Sequence, residues 1–214
     1  MATKTLDRRV QRTRKLLQDA LFALILEKGY EEVTVQDIID RANVGRSTFY
    51  AHFLDKQQLF LSGFEQLRDS LAQQHAVAAA SGGGTLSFSL GMFEHVQSHL
   101  LLYRALVGKQ SGAVAVQHMQ QMITELVREE LAARAPKDTT AIPREIVVQY
   151  TVSAFMGLLI WWADHEGPYT AVQMDVFFQQ LTLPGVLAGL QRRAQPLNHS
   201  NDRRKGDSSE MPAQ

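Results

Sequence analysis

Along most of the chain apolar residues return every three or four positions, and no stretch alternates apolar and polar residues over a strand's length. The pattern predicts an all-α protein. Leu17, Ala20, Leu21, Leu24 and Ile25 make one stripe, on a helix expected from about Arg8 to Lys28, with Gly29 as its stop and Tyr30 placed for the contact that follows such a cap. A second helix is predicted from Thr34, whose hydroxyl can accept from a first-turn amide while Asp37 reaches back to complete a capping box. It ends near Ala42. Asn43 tolerates the left-handed backbone that leaves a helix, and Gly45 can cap the next one, beginning at Arg46. A long helix from Lys56 toward Ala80 is then broken by Ser-Gly-Gly-Gly at 81–84. Further helices are expected at 86–108, kinked near Ser98, and at 112–134, 142–166 and 170–193, divided by Gly108, Gly112, Pro136, Pro143 and Glu-Gly-Pro at 166–168. Residues 195–214 are polar, carry almost no aliphatic side chains, and read as a disordered tail. No internal repeat is visible.

Two apolar stretches test this reading. The basic start followed by Ala-Leu-Phe-Ala-Leu-Ile-Leu imitates a secretory signal, but no small-residue cleavage site follows and the spacing is that of an amphipathic helix. Residues 146–163 carry no charge, yet Gln149, Thr151 and Ser153 interrupt them, which favours a helix buried by other helices over a membrane span. The expectation is a cytoplasmic protein with no membrane partner. Lysine plus arginine (22) equals aspartate plus glutamate (22), so a polyanion-binding surface has to be a local patch. The absence of cysteine excludes disulfide scaffolds, cysteine-ligated zinc and thiol catalysis.

Residues 43–53, Asn-Val-Gly-Arg-Ser-Thr-Phe-Tyr-Ala-His-Phe, crowd rings into about three helical turns. Phe49 and Phe53, four apart, share a face that can close over Leu17, Leu21, Ile38 and Val44. Arg46, Ser47 and Tyr50 fall on another side, flanked by Thr48 and His52, and have no buried role. A short helix presented by a tight turn, with arginine at its amino end and hydroxyls beside it, suits a recognition helix in a DNA major groove. There arginine can read guanine by two hydrogen bonds, and the hydroxyls and imidazole can reach phosphates or base edges. Lys4, Arg8, Arg9, Arg12, Arg14 and Lys15, opposed in that stretch only by Asp7, add a basic head that would attract phosphates or enter the minor groove.

The run Thr34–Phe60, with its Thr-x-x-Asp-Ile and Ser-Thr-Phe-Tyr-x-His-Phe-x-x-Lys motifs, resembles the N-terminal DNA-binding domain of TetR-family transcriptional regulators. The resemblance covers roughly residues 10–62. It departs at Asn43, where the family often has glycine, and at Gly45, where it often has a serine cap. It implies groove or phosphate contacts from Arg46, Ser47, Thr48, Tyr50 and His52, a phosphate on Lys56, and another near Thr34 and Gln36 at the amino end of the second helix. It also implies a helix-turn-helix domain at 1–55, with a basic arm at 1–9, and a helical effector-binding and dimerisation domain at 56–194. The protein is then expected to bind a palindromic double-stranded DNA operator as a homodimer, most often as a repressor, and to be released by a small-molecule effector.

In this family the last two helices pack against their copies in a partner, which makes Val148, Val152, Phe155, Met156, Leu159, Phe177 and Leu181 the expected dimer interface. Pocket candidates are Phe88, Met92, His95, Tyr103, Met122 and Trp161, each of which could equally be ordinary core. The segments 93–108 and 157–165 resemble one C-terminal subclass of these regulators. His95 and His99 have a spacing that could hold a metal, but no carboxylate or cysteine partner is evident nearby. No nucleophile elbow, phosphate loop or dinucleotide fingerprint occurs, so no catalysis and no cofactor are expected. Two rivals stand beside the regulator: a helical sensor or carrier whose head meets a protein rather than DNA, and a metal-dependent enzyme built on His95 and His99.

Overall fold

The computed structural model describes residues 2–80, 85–106, 110–134, 142–165 and 167–191, with backbone alone for 2–7, 75, 76, 78–80, 110 and 111. The 81–84 loop and the 195–214 tail therefore lie outside the described residues. Helices run α1 Ala2–Lys28, α2 Val35–Ala42, α3 Arg46–Tyr50, α4 Lys56–Ala80, α5 Phe88–Ser98, α6 Leu100–Leu106, α7 Gln110–Arg134, α8 Arg144–Asp164 and α9 Ala171–Leu190. No strand occurs among the described residues.

The local signals act as read. Gly29 takes φ 82° after the last turn of α1, and Asn43 takes φ 50° after α2, both left-handed exits. Thr34 and Asp37 form the capping box: the Asp37 amide donates to Thr34 Oγ1 at 3.2 Å, and the Thr34 amide donates to Asp37 Oδ2 at 2.7 Å. Thr170 and Gln173 repeat the device at α9. Two boundaries differ from expectation. The basic arm at 1–9 continues α1 as helix from Ala2. The helix expected over 86–108 with a kink near Ser98 is interrupted at that place more fully, into α5 and α6, at His99, whose amide donates to both His95 O and Val96 O.

Two hydrophobic cores result. One joins α1–α4: Leu17, Leu21, Ile25, Ile38, Phe49, Phe53 and Leu59 are all at most 2% exposed, and Leu106 and Ala115 from α6 and α7 join it. The other lies among α4, α5, α7, α8 and α9 around Phe155, whose ring meets those of Phe88, Phe93 and Phe178, each at 5.1 Å between centroids. The α4 helix spans both, with Leu59 and Phe60 in the first and Leu71 in the second. Between α7 and α9 the turn before α5 is clamped by side chains: the Leu86 amide donates to buried Glu130 and its carbonyl accepts from Gln179 Nε2 at 3.0 Å. That clamp holds Leu86 at φ 61°, a conformation costly for a branched side chain.

The α8 helix is the one described helix long and apolar enough to cross a membrane by length and composition, and half of its apolar window is buried within the molecule. Its buried half corrects the expected dimer interface. Val148, Val152, Phe155, Met156 and Leu159 are 0–6% exposed and sit in the molecule's own core, while Phe177 and Leu181 on α9 do face out, at 38% and 72%. The exposed apolar face of α8 is instead Ile146, Tyr150 and Trp161. A helix apolar on every side carries no periodicity to say which side meets its own subunit.

Candidate nucleic-acid interface and a cavity behind it

The recognition candidate is the five-residue α3. Its apolar side is fixed by Phe49 and by Phe53, which follows the helix and whose amide donates to Phe49 O; the two rings are 0% and 2% exposed and 6.1 Å apart between centroids. Arg14 of α1 places its guanidinium 4.9 Å over the Phe53 ring, so it serves the packing as well as the charge of the head. With that side locked, the others must point away. Arg46 and Ser47 are exposed, Tyr50 is 47% exposed, and Thr48 and His52 are half-buried at the flanks. The Arg46 guanidinium lies 5.7 Å from the Tyr50 ring centroid, and Tyr50 leans edge-on to Phe49. Arg46, Ser47 and Tyr50 thus lie on the outside of α3, with Thr48 and His52 partly covered beside them.

Thr34 and Gln36 are exposed at the amino end of α2, with partners already in place. The Thr34 hydroxyl bonds Asp37 Oδ2 at 2.6 Å, and Gln36 Nε2 donates to Asp40 Oδ1 at 2.8 Å. Lys28 reaches the same Asp37 oxygen at 2.8 Å. This ammonium and the Thr34 hydroxyl and amide hold the Asp37 carboxyl well below the usual range.

Lys56 corrects an expectation. Its ammonium donates to Tyr30 O at 2.8 Å, Glu31 O at 3.1 Å and Val33 O at 2.6 Å, and lies 4.5 Å from the Tyr30 ring centroid. An ammonium has three protons, and all three are used. Lys56 therefore ties the turn between α1 and α2 to the start of α4, and nothing of it is left for a phosphate while these bonds hold. Burial also lowers its affinity for a proton.

Behind the head lies a cavity of about 350 Å³ between α1, α4, α5, α6 and α7. Of the pocket candidates, His95 and Tyr103 line it. Phe88, Met92 and Met122 are in the body core at 0–5% exposure, and Trp161 is 43% exposed on α8. The cavity instead takes Gln18 and Phe22 from α1 and Phe64 from α4, none of which sequence periodicity singled out. Gln18 was the available signal: a polar residue inside an apolar stripe, buried, whose Nε2 donates to Ser62 Oγ at 2.9 Å. The His95 and His99 rings lie 4.5 Å apart between centroids, tilted by 32°, and His99 Nδ1 donates to the His95 carbonyl at 2.9 Å. Burial, and then His99, push the His95 pKa down to about 4, so the ring is neutral at pH 7. Burial raises that of Tyr103. Among the described residues no third histidine or carboxylate joins the pair to make a metal-binding group.

Comparison with known proteins bears on the family and the fold. The family model for bacterial regulatory proteins of the tetR family matches residues 17–62, and one for a transcriptional regulator C-terminal region matches 85–183. The HTH-type transcriptional regulator YxbF of Bacillus subtilis (strain 168) is 44% identical over 57 residues, which is 26% of this chain and only 15% of that protein's length. A TetR transcriptional regulator from Streptococcus agalactiae 2603V shares the fold with a TM-score of 0.59 at 23% identity, over 84% of this chain and 98% of that one. Thermus thermophilus FadR, a TetR family repressor solved in complex with lauroyl-CoA, gives 0.52 at 20% identity, over 86% and 97%. With a reading head and a C-terminal region each matched in order along an all-helical chain, the protein belongs to the TetR family of transcriptional regulators.

Proposed function

We propose that the protein is a homodimeric, cytoplasmic repressor that binds a palindromic operator through α3 and is released by a small molecule held in its helical body. The head would comprise residues 1–55 and the body 56–194. The observation that carries this reading is the outward set Arg46, Ser47 and Tyr50, held on a helix whose opposite side is sealed in the core by Phe49 and by Phe53 just beyond its end. That arrangement presents donors to base edges and phosphates at no cost in exposed apolar surface. Two-fold symmetry would set two such helices one DNA turn apart, ~34–36 Å. The outward apolar residues of α8 and α9, among them Tyr150, Trp161, Phe177 and Leu181, supply a surface for the second copy. An effector acts to the extent that it prefers one head separation over the other.

Fluorescence anisotropy of the full chain with DNA from upstream of its own gene, across salt concentrations, tests this. Affinity should fall steeply as salt rises, because each neutralised phosphate releases counterions. A flat response, or no binding at any salt, overturns DNA recognition and leaves a helical ligand sensor.

A further inference from the structure

The cavity behind the head has a chemistry of its own. Phe22, Phe60, Phe64 and Met119 give it apolar and aromatic walls, drawn from α1, α4 and α7. Of the polar groups that line it, Gln66 and Ser70 are exposed, while the half-buried His95 ring and Tyr103 hydroxyl have no hydrogen-bond partner among the described residues, and their rings stand edge to face at 6.2 Å between centroids. Both are neutral at pH 7, since burial disfavours charge on either. The charged residues that line it, Lys15 and Asp19, are exposed and paired to one another at 3.1 Å. No counterion is therefore free for a charged guest, which would lose its hydration uncompensated.

We propose that this cavity binds an uncharged aromatic molecule bearing one hydroxyl, a phenol or aromatic alcohol, seated against α1 of the head and α4–α7 of the body together. The hydroxyl fits because it both donates and accepts: its oxygen can accept a hydrogen bond from the Tyr103 hydroxyl while its own O–H donates to the unprotonated nitrogen of neutral His95. The ring fits the phenylalanine and methionine walls, where aromatic and sulfur contacts favour it. A volume of about 350 Å³ is at the small end of ligand pockets, which suits one or two fused rings rather than a long chain. Because Gln18 and Phe22 belong to the helix that also packs under α3, such a guest touches the reading head directly rather than only through α4. This rests on the reading of the chain as an effector-responsive regulator and names the effector's class.

The test titrates full-length protein calorimetrically with 1-naphthol, naphthalene and 1-naphthoate, three guests of one ring system. Naphthol should bind tightest, with naphthoate at least about tenfold weaker for want of a cation. Tyr103→Phe should weaken naphthol roughly tenfold and leave naphthalene unchanged, since only the hydroxyl loses a bond. Phe22→Leu, on a different helix, should weaken both naphthol and naphthalene. Equal affinity for naphthol and naphthoate, no uptake of naphthol, or indifference to both substitutions overturns the proposal. Operator binding is measured on the same preparation. DNA binding without naphthol uptake overturns this inference alone. Naphthol uptake that depends on Tyr103, in a protein that ignores DNA, overturns the repressor and leaves the cavity's chemistry standing.

Discussion

Phe49 and Tyr50 are neighbours in the chain with opposite tasks, one fully buried and the other 47% exposed. Phe49→Ala should cost roughly 3–5 kcal/mol of stability, read by thermal or urea unfolding, as loss of a buried ring does. Tyr50→Ala should shift the unfolding midpoint little and weaken DNA binding instead. The reverse pattern would mean that the α3 surface has been misassigned. Lys56 makes a different case. With its three protons on the carbonyls of Tyr30, Glu31 and Val33, Lys56→Ala should destabilise the head by about 1–3 kcal/mol. If it were a phosphate contact, the same change would lower the salt slope and leave stability alone. Asp37 sets an acid limit. Its carboxyl is depressed in the folded state by Lys28 and Thr34, so the stability it contributes is complete above the unfolded value, about 3.9, and is lost as pH falls further toward the folded one. Asp37→Asn should flatten the stability profile of the protein below about pH 4.

At the scale of helices, two mid-helix glycines should answer the same substitution with opposite signs. A Cβ on Gly63 of α4 would meet Phe22 Cζ at 3.5 Å, an ordinary contact, so Gly63→Ala should stabilise by up to about 1 kcal/mol through helix propensity. A Cβ on Gly91 of α5 would meet Leu71 Cδ2 at 2.7 Å and Gln74 Oε1 at 2.6 Å. Leu71 is in the core, where overpacking costs about 1–3 kcal/mol, so Gly91→Ala should destabilise despite the better propensity. Calorimetric midpoints of the two variants check both signs. Element positions were legible because periodicity and caps are local: Thr34 with Asp37, Gly29 and Asn43 act within a turn of themselves. The interruption near Ser98 was legible as a kink, but not that it ends one helix and starts another at His99, because the apolar pattern passes through it and the packing of α5 and α6 against different neighbours parts them.

Across the whole molecule the decisive surface is the outer side of α8 and α9. Leu181, 72% exposed in the single chain, belongs to that side, and Gly157 and Gly185 have nothing within 4 Å of a built Cβ, room for another helix to approach closely. If the proposed dimer forms through this side, Leu181→Glu should leave a monomer in sedimentation where the parent chain sediments as a dimer, and should weaken operator binding without unfolding the chain. An unchanged sedimentation profile would place the dimer contact elsewhere. The sequence by itself determined the helical class, the head with its sealed Phe49 and Phe53, and the outward set on α3, because short-range spacing and capping decide which side of a short amphipathic helix is wet. Only the tertiary structure decided that Val152 and Phe155 face their own core, that Lys56 is spent on three carbonyls, and that α1 walls a cavity with Tyr103 and His95. Each of those depends on which surfaces meet across long sequence separations, and a helix apolar all round, or a long flexible lysine, holds no local record of its neighbour.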